Sequence, residues 1–235
     1  MKEKYITSYD SLTNHLMKFG FRRKNANFYI RESTESLQRF FFTHATHSER
    51  FVKYYTIQLK INYPQIESLA REMGLFSYGM AVNIGYLTPN RNFLEWRVAE
   101  SDSEDYILDI IENMCMNINN YALPYFEKYS TLEGLLKGIE NQELQNRLDY
   151  RFCQPFLYYL LGDKKRAIDS LDTILKNIKS HSRLMDDKQN YSISSNDHVG
   201  HLQNKDLQVY MEFTSKFKDF VDESSDKPQE GSFKV

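Results

Sequence analysis

The chain is short of the residues that usually announce chemistry. Its 235 residues hold two cysteines and one tryptophan. Cys115 and Cys153 form no CxxC pair, and each falls in an apolar helical pattern. That speaks against a zinc ribbon or a redox dithiol and favours inert core thiols. No run of eighteen apolar residues occurs, so no segment is expected to cross a membrane. The opening MKEKYITSYD has no apolar stretch of the kind a secretory signal needs. The expectation is a soluble protein in a reducing, cytoplasmic compartment. Net charge is only −2, so overall balance does not point to nucleic acid.

Catalytic motifs are missing as well. There is no GxSxG or HExxH, and no Cys–His pair with local context. Phosphate-cradling GxGxxG and GxxxxGK[ST] loops are absent too. Two HxxH spacings occur, His44/His47 and His198/His201. Residues three apart on a strand face opposite sides, and no carboxylate or thiolate completes a ligand set near either pair. Neither metal nor cofactor is expected. An enzyme with a site dispersed over several segments stays open, because such a site leaves no local signature.

Aromatics are what the chain does have: seventeen tyrosines and sixteen phenylalanines. Charge is unevenly spread. Lys18 to Lys60 holds nine Lys and Arg against three Glu, whereas Glu95 to Glu112 holds seven acids against one Arg. Ser101 with Glu104 three residues on reads as a capping box. Asp102, Glu104 and Asp105 also suit the positive end of a helix dipole. A helix start therefore accounts for most of the acidic cluster.

Hydrophobic periodicity gives the elements. Leu12, Leu16 and Phe19 mark a first helix over about 7–19, closed by Gly20. Phe21 leads into the basic Arg22-Arg23-Lys24. Strands follow at Asn27 to Arg31, Leu37 to Thr46 and Tyr54 to Tyr63, the third alternating most regularly. His44 to Phe51 reads as polar loop. Ile66, Leu69, Ala70 and Met73 mark a short helix. Ser77 to Glu100 reads as a β-hairpin, with Met80, Val82, Ile84 and Tyr86 on one face, a turn at Pro89-Asn90-Arg91-Asn92, then Leu94, Trp96 and Val98. A long helix follows, and Pro124 is expected to kink or restart it. Beyond Ser130 the pattern is all helical. Leu132 to Ile139 is one short helix, weakened by Gly134 and Gly138. Leu144, Leu148 and Phe152 suggest another. Phe156 to Ile178 reads as a helical hairpin; within it YLLGDKKRAIDSLDTIL resembles one turn of a tetratricopeptide repeat, but without a second copy the ordinary hairpin is the reading. The polar stretch 180–203 is either mobile or holds a further helix. Leu207 to Phe220 gives a last amphipathic helix.

The predicted fold is α+β: a mainly antiparallel, five-stranded sheet with helices on one face, followed by an all-helical extension. Residues 1–128 form the sheet domain, 129–222 the extension packed on it, and 223–235 a disordered tail.

Phe19-Gly20-Phe21-Arg22-Arg23, then Asn27-Phe28-Tyr29-Ile30-Arg31, Val82-Asn83-Ile84-Gly85 and Trp96 carry a likeness over roughly Tyr5 to Tyr125. A helix ending in Gly-Phe, a basic turn and an aromatic sheet closed by a Trp strand resembles a family of uncharacterised bacterial α+β domains. Such domains look like those of some immunity proteins, which cover the active site of a cognate toxin. The resemblance implies a protein partner and carries no catalytic residues.

The expected function is a non-enzymatic protein-binding module, in line with the immunity-type resemblance. Tyr and Arg are what protein interfaces concentrate. The candidate contact residues are Arg31, Arg39, Lys60 and Arg97, expected together on the polar sheet face. A single-stranded nucleic-acid binder using the same basic, aromatic face is the alternative.

Overall fold

The structure is a computed structural model that describes residues 2–46, 51–75, 79–144, 150–188 and 204–223. The chain divides into two compact units, one of residues 1–67 and 77–148, the other of 68–76 and 149–235.

The first unit is α+β, as its periodicities imply. Helix α1 (Lys2–Met17) is followed by β1 (Arg22–Asn25), β2 (Phe28–Glu32), β3 (Leu37–Ala45) and β4 (Val52–Asn62), an antiparallel meander. Helix α2 (Pro64–Glu72) carries the chain on to β5 (Gly79–Asn83), and β6 (Trp96–Ala99) comes later. The basic patch after α1, expected as a turn, is an added edge strand. Arg22 pairs with Ile30 and Arg23 with Tyr29.

The expected hairpin between residues 77 and 100 does not form. Both β5 and β6 pair antiparallel with β4: β5 along Gln58–Asn62, β6 along Val52–Tyr55. They are two pieces of one interrupted strand, not partners of each other. Between them the chain leaves the sheet as a 3₁₀ turn, Ile84–Leu87, and returns at Trp96. Ile84 is still buried, so the apolar alternation runs on through the point where the strand stops.

Cross-strand partners share a sheet face. On one face Phe40, Phe42, Ile57, Leu59, Ile61, Met80, Val82, Trp96 and Val98 are all buried. The expected register of β4 and β5 is therefore the observed one. The first helix packs here, its Thr13 Oγ1 2.6 Å from the Tyr29 hydroxyl. So does the helix after β6. Helix α3 (Glu104–Asn117) passes through a π-helical turn, Ile118–Ala122, into α4 (Leu123–Lys128). Pro124 has no N–H to give, and the ladder adjusts just before it: the Leu123 N–H bonds the Ile118 carbonyl, five residues back. Phe126 is fully buried among Phe21 and Phe40, and its carbonyl accepts from Gln38 Nε2 at 3.3 Å.

The α3 cap is Ser103, whose hydroxyl accepts from the Tyr106 N–H at 3.2 Å. Ser101, expected in that role, lies outside the helix. Asp102 instead accepts from the Ala99 N–H at 2.7 Å and holds the end of β6. Helix α5 (Leu132–Glu140) closes the unit, with Thr131 as its cap. Gly134 weakens this helix in propensity, but a Cβ there would overlap the Lys128 carbonyl, so glycine lets α5 start hard against the end of α4.

In the second unit α6 (Tyr150–Leu160) and α7 (Lys164–Lys188) form the expected helical hairpin, turning at Gly162-Asp163. The Asp163 carboxylate accepts from the Arg166 N–H at 2.9 Å. Helix α7 continues into the polar stretch expected to begin near 180, and 189–203 lies outside the described residues. Helix α8 (Asn204–Glu223) brings Phe213 and Phe217 onto Phe156 at 5.4 and 5.2 Å between ring centres. Leu144 sits in a turn, and the helix expected from it is described only from Tyr150. His47, His198, His201 and the expected tail at 224–235 also lie outside the described residues. Neither cysteine forms a disulfide: Cys153 is buried, and burial pushes the half-buried Cys115 thiol up, with Glu112 adding to it.

Candidate functional site

The structure does not gather the four expected contact residues. Arg39 and Lys60 are direct cross-strand partners on the outer, more polar face of the sheet. Arg97 pairs with Tyr54 on that face, six residues along β4 from Lys60, or about 20 Å at the rise of a strand. Arg31 is on the opposite face, in the row of Gln38, Ile61 and Met80. It donates to Gln38 Oε1 at 2.8 Å and to the Phe19 carbonyl at 2.9 Å, and its guanidinium lies over the Phe21 ring. Burial lowers its pKa, and nearby Glu127 opposes that shift. Arg31 is thus a structural clamp between the turn after α1 and the sheet. Arg39 is engaged too, donating to Asn62 Oδ1 at 2.8 Å, while Asn62 donates to Glu67. The outer face also carries Phe28 and Phe41, stacked at 4.8 Å and half-buried.

A different site lies at the edge of the sheet. A broad cleft of about 1100 Å³ runs beside β5, entirely within the first unit. One wall is the strand itself, through Ala81, Val82 and Asn83. The other is the π turn and α4, through Tyr121, Pro124, Tyr125 and Lys128. The excursion after β5 closes one part of the rim with Tyr86, Arg91 and Phe93, and the turn after α5 contributes Gln142 and Glu143.

Asn83 makes this shape. Its Oδ1 accepts from the Gly85 N–H at 2.9 Å and the Leu94 N–H at 3.0 Å, and its Nδ2 donates to the Leu94 carbonyl at 3.2 Å. A single amide thus staples the two ends of the excursion. Gly85 allows the closure: a Cβ there would stand 2.5 Å from Leu94 Cβ and 2.6 Å from its nitrogen. Two rim residues, Arg91 and Gln142, hold positive φ values of 47° and 61°. Non-glycine residues adopt this left-handed region at a cost, and such strain concentrates at functional positions.

The polar groups at one end form a closed set. Glu143 Oε2 accepts from Lys128 Nζ at 2.6 Å and from the Tyr129 hydroxyl at 2.6 Å. The Lys128 hydrogen bond, with Tyr129 second, holds the Glu143 carboxyl below its ordinary range. A depressed carboxyl contributes stability above its unfolded value of about 4.3, lost as pH falls through the folded value. The expected result is that Glu143→Gln lowers stability slightly at pH 7, and that the difference from the wild type is smaller at a pH below the unfolded value of about 4.3. Urea titrations at the two pH values check it. The exposed Arg91 guanidinium makes no ion pair among the described residues. The rim also exposes Tyr86 and Phe93, at 43 % and 50 %.

Chemically the cleft suits recognition. Its one carboxylate is held ionised by two donors and is not poised as a general acid near neutrality. Among the described residues, no group of three His, Cys, Asp or Glu could hold a metal ion, and no helix is long and apolar enough to cross a membrane. Comparison with protein-family models, with curated proteins and with solved structures finds no match.

Periodicity pointed to the sheet face and missed the cleft. Its walls come from residues 58–93 and 120–143, which no local pattern joins. One signal was present: Tyr121, Tyr125 and Tyr129 recur every four residues along one helical stripe.

Proposed function

We propose that this chain is a protein-binding module and that the cleft beside β5 is its contact site. The observation that carries this reading is the cleft's composition. Tyr86, Phe93, Tyr121 and Tyr125 surround an opening with one uncommitted cation, Arg91, at its rim. Aromatic and Arg side chains in a recess that excludes water are what interface hot spots use. The likeness to immunity proteins makes a cognate toxin the first partner to test. The outer sheet face is the second candidate surface, supported by the adjacency of Arg39 and Lys60 and by the stacked Phe28 and Phe41.

Affinity capture with variant baits separates the two. Arg91→Glu and Tyr121→Ala alter the cleft, and Lys60→Glu with Arg97→Glu alters the outer face. Arg91 and Arg97 are exposed, and exposed charges contribute little to folding, so Arg91→Glu should melt close to the wild type; Lys60 is half-buried, so the melting of the outer-face variant is measured beside its binding. The captured protein should bind the cleft variants at least about tenfold more weakly, the range of a modest hot spot. A loss confined to the outer-face variant moves the site there. Capture of single-stranded RNA by that face, weakening as salt rises, would replace the protein reading with the nucleic-acid one.

A further inference from the structure

Strand β5 is paired on one side only among the described residues: β4 lies along it, and the sheet order ends there. A strand paired on one side presents main-chain N–H and C=O groups along its open edge, a template for another strand. Natural edges are usually blunted by charged side chains, proline or a bulge. The sequence of β5, GMAVN, has no charge and no proline, and its pairing with β4 is regular over five residues. That open edge is about 17 Å long at the rise of a strand. It is also recessed, because the cleft runs along it with α4 opposite and the excursion at the rim.

We infer that β5 accepts an extended segment of the partner protein as an added strand, with an acidic side chain of that segment against Arg91. This rests on the reading of the cleft as a protein contact site. Main-chain hydrogen bonds to the β5 edge would supply affinity, and pockets for alternate side chains would supply specificity. Alternate side chains of an added strand point to opposite faces. One set would meet Val82, Tyr121 and Tyr125. The other would lie towards Gln58 and Ala81 on the outer side. Lys128 is already engaged by Glu143, which leaves Arg91 as the charge available to an incoming carboxylate. A second copy of this chain is not the occupant. Its own β5 lies in a cleft of the same concave shape, and two recesses cannot fill each other. A single extended segment, a loop arm or a terminus, can enter.

The probe is a library of random twelve-residue peptides, displayed on messenger RNA and selected on the full chain. Selected binders should alternate apolar and polar residues around a conserved acidic position. Each backbone nitrogen of the best binder is then methylated in turn. Methylation should weaken binding about tenfold at alternate positions, because only alternate amides of an added strand face β5. Arg91→Glu should weaken it to a similar degree, and the amides of Gly79–Asn83 should exchange more slowly in the complex. A binder lost in Arg91→Glu but indifferent to methylation at every position overturns strand addition and leaves the cleft as a contact site. A binder indifferent to both changes overturns both readings. A selection that yields no binder above background overturns strand addition.

Discussion

Gly85→Val should cost about 3 kcal/mol of folding stability, at the upper end of what overpacking usually costs. The position tolerates nothing larger than hydrogen, since a Cβ would meet Leu94 and the Asn92 carbonyl oxygen. Neither neighbour can give way cheaply. Leu94 is fixed by two hydrogen bonds to Asn83, and the Asn92 oxygen is backbone. The excursion must therefore open, which frees the Asn83 amide, 4 % exposed, from its three partners. Buried polar groups left without partners add to the steric cost. The single tryptophan reports the event locally. Trp96 begins β6 where the excursion rejoins the sheet, is 7 % exposed and donates to Asn113 Oδ1 at 2.9 Å. Its emission should move to longer wavelength in the folded variant, together with a lower urea midpoint. A Gly85→Val protein with wild-type midpoint and emission would contradict the closure described here.

Phe126→Ala should cost still more, about 3–5 kcal/mol, the range for emptying a fully buried phenylalanine site. Phe126 is at 0 % exposure, with Phe40 edge-on at 5.1 Å and Phe21 at 5.7 Å. It joins α1's following turn, β3 and α4, so no one element can collapse into the space it leaves. Phe93→Ala is the contrast. Half-exposed on the rim of the cleft, it should change stability by less than about 0.5 kcal/mol. Chemical denaturation of the two variants checks the pair. Similar losses for both would contradict the assignment of Phe126 to the core and Phe93 to the rim.

What was legible in the sequence was legible for physical reasons. Strand β4 alternates because one face meets helices while the other carries the polar Thr56, Gln58, Lys60 and Asn62, so Ile57, Leu59 and Ile61 announce themselves. The end of β5 was not legible. Met80, Val82 and Ile84 keep the strand period across the break, and a 3₁₀ turn that buries Ile84 satisfies the same pattern. What decides the break is a side-chain amide at 83 and the absence of a Cβ at 85, and neither enters a hydrophobic count. The Pro89–Asn92 segment does turn the chain, but it leads back to β4 and not to β5. Ser101 lost the helix start to Ser103 because Asp102 is occupied with the Ala99 N–H. Arg31, one residue from the solvent-facing row, fell on the inner face because β1 and β2 fix its register through Arg22↔Ile30. The candidate site was least legible of all, since two walls about forty residues apart in the chain meet only once the sheet and the long helix have packed.

Amide hydrogen exchange, measured on this protein alone and bound to its captured partner, tests the central claim most directly. Binding at the cleft should slow exchange in Gly79–Asn83 and across the segment from Ile118 to Lys128, and leave the rates of β2 and β3 unchanged. Protection confined to Phe28–Glu32 and Leu37–Ala45, with β5 exchanging as in the free protein, would contradict it.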